Sequence, residues 1–146
     1  MGISHKAMKP AARLALPDYV ELRCVSHFTF LQGASSPAEL VERAQNLGYQ
    51  ALALTDECSM AGVVRAHVAA KAVGLPLLLG SQFRIQPHDA TEASCVLVVL
   101  AQNLNGYGNL CAFITKLRRS SEKGRYHLTL DHITGAELTD CLVLLC

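Results

Sequence analysis

A chain of 146 residues with 51% hydrophobic and 5% aromatic residues holds one domain with a real core rather than two of ordinary size, and suits an Ala/Leu/Val-rich α/β protein better than a β-sandwich. The formal net charge of +1 gives the whole chain no electrostatic case for nucleic-acid binding, so any such binding must come from a local patch. The six cysteines are scattered with no CxxC or Cys/His zinc spacing, and there is no secretory h-region and no apolar run of membrane-span length; the expectation is a reduced, cytoplasmic protein without disulfides or membrane contact.

Residues 1–18 contain two prolines, a few basic residues and no period, and are expected to form a flexible leader to a domain spanning 19–146. Val20 to Val25 reads as a strand and Ser26 to Ser35 as the loop after it. Ser36-Pro37-Ala38-Glu39 then opens a helix, with Ser36 as cap, Pro37 in the first helical position and Glu39 where a capping box needs it. Leu40, Val41, Ala44 and Leu47 form its apolar stripe, and Gly48 can take the left-handed conformation that ends it. Ala51 to Thr55 is the second strand. Met60 to Val73 is the second helix, with Val63, Val64, His67, Val68 and Ala72 on or near one face and Gly74 as its stop. Leu77 to Ile85 is the third strand, Gln86 to Glu92 a polar turn, and Cys95 to Ala101 a fourth, nearly all apolar strand. Asn105-Gly106 is expected to break the chain before a third helix carrying Leu110, Phe113, Ile114 and Leu117. Lys116, Arg118 and Arg119 suit the negative end of that helix's dipole. Tyr126 to Leu130 is short and alternating, Ile133 to Leu138 a short helix, and Cys141 to Cys146 a further buried strand. Strands alternating with helices predict a parallel α/β sheet or barrel. The last strand has nothing after it to cover its faces, which predicts that the chain is the front part of a longer fold.

The second strand stops at Asp56 and Glu57, at the C-terminal end where parallel sheets place their chemistry. Leu22 to His27 and Leu77 to Phe83 have the same form, an apolar run and then polar side chains, so the three tips are expected to converge. The groups they bring are Asp56, Glu57, His27, Ser26 and Gln82. Carboxylate and imidazole ligands suit zinc, manganese or iron, and a multi-metal site would activate water against a phosphate ester. Gln82 is neutral, however, and Arg23 beside the site would repel a cation. Asp56 and Glu57 have an equally simple structural role, capping the next helix or bonding to neighbouring loops. His67 is expected to be packed or half-exposed, and His5, His88, His127 and His132 solvated. Lys116, Arg118, Arg119, Lys123 and Arg125 form the one basic cluster. It reads first as a solvated helix end, and second as a nucleic-acid contact through Lys116, Arg118 and Arg119. There is no Gly-rich phosphate loop and no nucleophile elbow.

Several ordered blocks resemble the start of bacterial C-family DNA polymerases, the DNA polymerase III alpha subunit group, in which an N-terminal PHP (polymerase and histidinol phosphatase) domain comes first. The blocks are Tyr19-Val20-Glu21-Leu22, Phe28-Thr29-Phe30-Leu31-Gln32-Gly33-Ala34-Ser35, Ala51 through Ser59, Ala61-Gly62-Val63-Val64-Arg65-Ala66-His67, Leu78-Leu79-Gly80-Ser81-Gln82-Phe83 and Gly106-Tyr107-Gly108-Asn109-Leu110-Cys111. They are most similar to the error-prone, damage-inducible branch. The resemblance implies a partial, distorted (β/α)7 barrel, truncated at its C-terminus. It also implies where metal ligands sit in active members. The His-x-His of the first motif falls on Arg23 and Val25, the second motif keeps Asp56 but has Glu57 in place of His, and the Glu of the third is Gln82. The resemblance therefore implies a PHP-domain fragment of an error-prone polymerase serving replication and translesion repair synthesis. Its role would be that of a scaffold with a degenerate site, at most holding zinc or manganese at Asp56, Glu57, His27 and Gln82. The catalytic aspartates of such polymerases lie in a downstream palm domain absent here, so the chain is not expected to synthesise DNA. Expected partners are the remainder of the polymerase chain, DNA through the full-length enzyme, and accessory proteins of a damage-response polymerase complex. The alternatives are a metal-dependent phosphoesterase or 3′–5′ exonuclease, and a non-catalytic protein- or DNA-interaction module.

Overall fold

A computed structural model describes residues 18–87 and 95–146. The expected leader, except Asp18, and most of the turn from Gln86 to Glu92 lie outside the described residues, as do His5 and His88. Five strands, β1 (Val20–Cys24), β2 (Ala51–Leu54), β3 (Leu77–Ile85), β4 (Cys95–Ala101) and β5 (Cys141–Leu145), form one sheet in sequence order, curled into a half-barrel. Among the described residues three α-helices accompany it: α1 (Pro37–Leu47), α2 (Val63–Val73) and α3 (Leu104–Arg119).

Strands alternate with helices as the sequence predicts, but the sheet is mixed. β1, β2 and β3 run parallel, whereas β4 is antiparallel to both β3 and β5. The cause lies in the link. Only residues 86–94 join β3 to β4, and a parallel crossover needs a dozen or more residues, usually a helix.

The helices follow their caps. The Ser36 hydroxyl accepts from Glu39 N, the Glu39 carboxylate accepts from Ser36 N at 2.7 Å, and Gly48 takes φ 80° at the far end. α2 begins at Val63 rather than Met60, and its buried stripe is Val63, Ala66 and Ala70. Val64, His67 and Val68 of the expected face are exposed. This helix is rich in alanine and valine on all sides, so hydropathy contrast does not mark the face, and the small side chains are what let it lie close to α1. Asn105-Gly106 does not break the chain. Asn103 caps α3, its Oδ1 accepting from Gly106 N at 3.0 Å, and both residues lie in the first turn. Gly106 is needed there because a Cβ would run into the carbonyl of Asp140. Tyr126 to Leu130 forms no strand, and the helix expected over Ile133 to Leu138 is reduced to a single 3-10 turn at Ala136–Leu138, after another at Leu130–His132.

Register fixes two faces. Leu52 pairs with Leu77, Leu54 with Leu79, and Phe83 with Leu97. The face bearing these residues lies under the helices. Leu52 and Leu54 pack with Val41, Ala44, Val63, Ala66 and Ala70, and Phe83, Leu97 and Val99 pack with Leu110, Phe113, Leu117, Leu128 and Leu138. The other face holds a small cluster of Ala53, Val98 and Leu100. β5 is less covered than its apolar sequence predicts: Leu142, Val143 and Leu145 are exposed, because it is an edge strand of the sheet. Among the described residues no helix is long and apolar enough to cross a membrane.

Candidate functional site

The β2–β3 pairing continues past the strand as an isolated parallel bridge between Glu57 and Gln82. Side chains alternate along a strand, so Glu57 and Gln82 share one face and Asp56 turns to the other. The two adjacent carboxylates therefore diverge.

Asp56 is 1% exposed. Its Oδ1 accepts from Ser26 N at 2.7 Å and from the Thr29 hydroxyl at 2.7 Å, and its Oδ2 accepts from the Ser26 hydroxyl at 2.8 Å. The network extends through the backbone. Ser81 Oγ donates to Asp56 O at 2.7 Å, and Thr29 Oγ1 accepts from Glu57 N at 3.0 Å. A Cβ on Gly62 would sit 2.9 Å from Asp56 Oδ2 and 3.0 Å from Pro37, so glycine at the start of α2 leaves the room the carboxylate occupies. Three charge-assisted hydrogen bonds compensate this buried anion. Its effect is to bind the β1–α1 loop to the tip of β2.

On the opposite face Arg23 Nε donates to Gln82 Oε1 at 2.9 Å, and Gln82 is 2% exposed. Glu57, with a side chain 15% exposed, accepts from the Tyr126 hydroxyl at 2.8 Å and from Gln32 Nε2 at 2.9 Å, and pairs with Arg84 at 3.3 Å. The Tyr126 oxygen also accepts from Arg84 N at 2.7 Å. Burial, reinforced by Glu57, holds the Tyr126 hydroxyl above the ordinary tyrosine range, so it remains a donor. His27 does not join these groups. It is exposed, its Nδ1 lies 3.2 Å from Ser35 O, and its ring lies against Phe28 at 4.6 Å.

A divalent ion needs several lone pairs aimed at one point. Here the oxygens of Asp56, Glu57 and Gln82 face N–H and O–H donors, and two guanidinium groups flank the ring of strand tips. Among the described residues no group of three or more His, Cys, Asp or Glu is placed to hold a metal ion. The donor set does not fit a zinc or manganese centre.

The basic helix end is not one uniform surface. Arg118 is half-buried and is engaged internally: Nε donates to Cys58 O at 3.2 Å, Nη2 to Glu57 O at 3.4 Å, and the guanidinium lies 5.6 Å from the Tyr126 ring centroid. It clamps a turn in which Cys58 takes φ 46°, an unfavourable region for a non-glycine residue. Lys116 pairs with Glu137 at 3.4 Å, and Arg119 is exposed. Thr29, Tyr126 and Arg84 are site residues that sequence reasoning missed. Tyr126 and Arg118 act across 69 and 60 positions, with no local pattern to announce them.

A family profile described as "PHP domain" matches residues 21–142. An error-prone DNA polymerase of Ralstonia nicotianae is 57% identical over 84% of this chain and 11% of its own length. Proteins of the same name from Ralstonia pickettii and Burkholderia mallei are 53% and 49% identical, over 89% and 92% of this chain and 13% and 14% of theirs. The chain thus spans about an eighth of the length of these relatives. Among solved structures, a Bifidobacterium adolescentis protein named as a metal-dependent phosphoesterase superposes with a TM-score of 0.56 at 26% identity, over 68% of this chain and 33% of its own. An amidohydrolase from Chromobacterium violaceum, solved with sulfate and no metal, gives the same TM-score and identity over 69% and 34%.

Proposed function

We propose, since this chain belongs to the PHP domain family, that it is the PHP segment of an error-prone DNA polymerase and serves there as a metal-independent scaffold. The family match over residues 21–142 and the polymerase relatives support the first half. One observation carries the second: the strand-tip oxygens that would hold metal are occupied by hydrogen-bond donors of the loops and strands around them, with Asp56 taking three hydrogen bonds from Ser26 and Thr29 and Gln82 one from Arg23. A ring held together this way needs no ion to keep three strand tips in place. Its role is then to present a rigid surface to the remainder of the polymerase chain, and DNA reaches it through the full-length enzyme. Error-tolerant synthesis past damage and a cytoplasmic setting belong to the same proposal.

A chimera tests it. The matching segment of the Ralstonia nicotianae polymerase is replaced by this chain, with and without Asp56→Ala. The scaffold reading expects the chimera to polymerise in magnesium with zinc and manganese removed, and the variant to lose thermal stability and polymerase activity together. Stable, fully active polymerase carrying Asp56→Ala would contradict it. The rival, a metal-dependent phosphoesterase, draws on the solved neighbours. It requires the isolated chain to hydrolyse phosphodiesters in zinc or manganese and to lose that activity in Asp56→Asn.

A further inference from the structure

Beside the saturated ring lies a cleft of about 380 Å³, within the size range of small-ligand sites. Its walls come from the β1–α1 loop, the tip of β2 and residues 124–126, and they combine rings with cations. Phe28, Phe30 and Tyr126 line it together with Arg118 and Arg125. Among the described residues of the wall Glu57 is the one anion, and Tyr126, Gln32 and Arg84 already engage it, so the cations of Arg118 and Arg125 outweigh it there. Phe30 is 83% exposed at the rim, next to Leu31, which is 89% exposed and held at φ 63°. A large ring left in water beside a strained leucine is costly for folding, and such features concentrate where a ligand is met. Arg125 stands exposed in the same wall. Arg118, fixed by two backbone carbonyls and stacked on Tyr126, is already positioned.

We propose that this cleft binds a nucleoside phosphate unit without metal and without cleaving it, the base stacking on Phe30 and the phosphate meeting Arg125. Stacking rings beside guanidinium groups is the chemistry that holds unpaired nucleotides with little sequence preference. An acidic peptide would use the cations but leave the rings idle. The unit can come from a free nucleotide or from single-stranded DNA. The proposal goes beyond the scaffold reading and stands without it.

The test uses the 146-residue chain in EDTA, with anisotropy of fluorescein-labelled oligothymidylate as readout and unlabelled thymidine monophosphate and poly-L-glutamate as competitors. The expected result is binding in chelator that weakens roughly tenfold in Phe30→Ala. Arg125→Ala is expected to weaken it as well and to lower the slope of log affinity against log salt by about 0.7. Lys71→Ala, at the exposed end of α2, should change nothing. Both substituted residues are exposed, so folding is preserved, and a circular-dichroism spectrum confirms it. Competition by the mononucleotide at concentrations matching the oligonucleotide assigns the unit to free nucleotides; much weaker competition assigns it to the strand. No binding in EDTA, binding untouched by both substitutions, or displacement by poly-L-glutamate as readily as by oligothymidylate would overturn the proposal.

Discussion

Replacing Asp56 with alanine strips the acceptor from three donors at once: Ser26 N, the Ser26 hydroxyl and the Thr29 hydroxyl, all within 2.8 Å of the carboxylate. Ser26 is fully buried and Thr29 is 3% exposed, so water cannot replace the lost oxygens without opening the loop. Each hydrogen bond to a charged group contributes about 1.5–3 kcal/mol. The two hydroxyls can turn toward other acceptors, whereas the backbone N–H cannot. The net cost is therefore about 3–5 kcal/mol, a large share of the ~5–15 kcal/mol available to a small domain. Asp56→Asn is the informative partner. The amide oxygen can keep Ser26 N and Thr29, and the amide nitrogen can donate to Ser26 Oγ, so only the charge assistance is lost, at about 1 kcal/mol. Urea unfolding followed at 222 nm at constant m-value separates the two. A cost for alanine below about 1 kcal/mol, or an asparagine as damaging as alanine, would refute the account of Asp56 as a hydrogen-bonded anchor.

Contacts elsewhere in the domain have consequences of their own. Tyr126→Phe removes the donor to Glu57 and the acceptor for Arg84 N, and should lower stability by about 1–2 kcal/mol in the same urea assay; an unchanged midpoint would show that the 120s loop is not held through Glu57. Glu137 accepts from the Thr134 hydroxyl at 2.6 Å and pairs with Lys116, which depresses its carboxyl from 4.5 to about 2. A depressed acid stabilises the fold above its unfolded pKa and loses that contribution as pH falls through the folded one. Glu137→Gln should thus be less stable than the parent at neutral pH and match it near pH 2, and parallel curves across that window would contradict this. Burial pushes the thiols of Cys24 and Cys58 up to about 11, while Cys146 is exposed. At pH 8 a thiol reagent should modify Cys146 first and Cys58 only on unfolding, read by mass spectrometry of proteolytic fragments; equal rates would mean that the Cys58 turn opens freely.

Local chemistry was legible in the sequence and distant chemistry was not. The capping box at Ser36 and Glu39 and the glycine stop at Gly48 appear as read, because each rests on contacts within a few residues. The reversal of β4 was written in the short link between Ile85 and Cys95, which cannot span a parallel crossover. α2 misled because alanine and valine occur all around it, and the side that packs is chosen by close approach to α1 rather than by hydropathy. At the site, adjacency in sequence suggested that Asp56 and Glu57 act together, yet strand alternation places neighbours on opposite faces. Arg118 carried the signature of a solvated helix end, and its contacts with the carbonyls of Glu57 and Cys58 follow only from tertiary packing.

Whether this PHP domain holds its strand tips together without metal is decided by metal analysis of the purified chain, together with circular-dichroism melts before and after chelation. An ion that binds the native state must raise its stability, so removing it must lower the melt. A hydrogen-bonded set of strand tips should give substoichiometric metal and a cooperative transition that EDTA does not move. Stoichiometric zinc or manganese, with a midpoint that falls on chelation and recovers when the ion is restored, would contradict it.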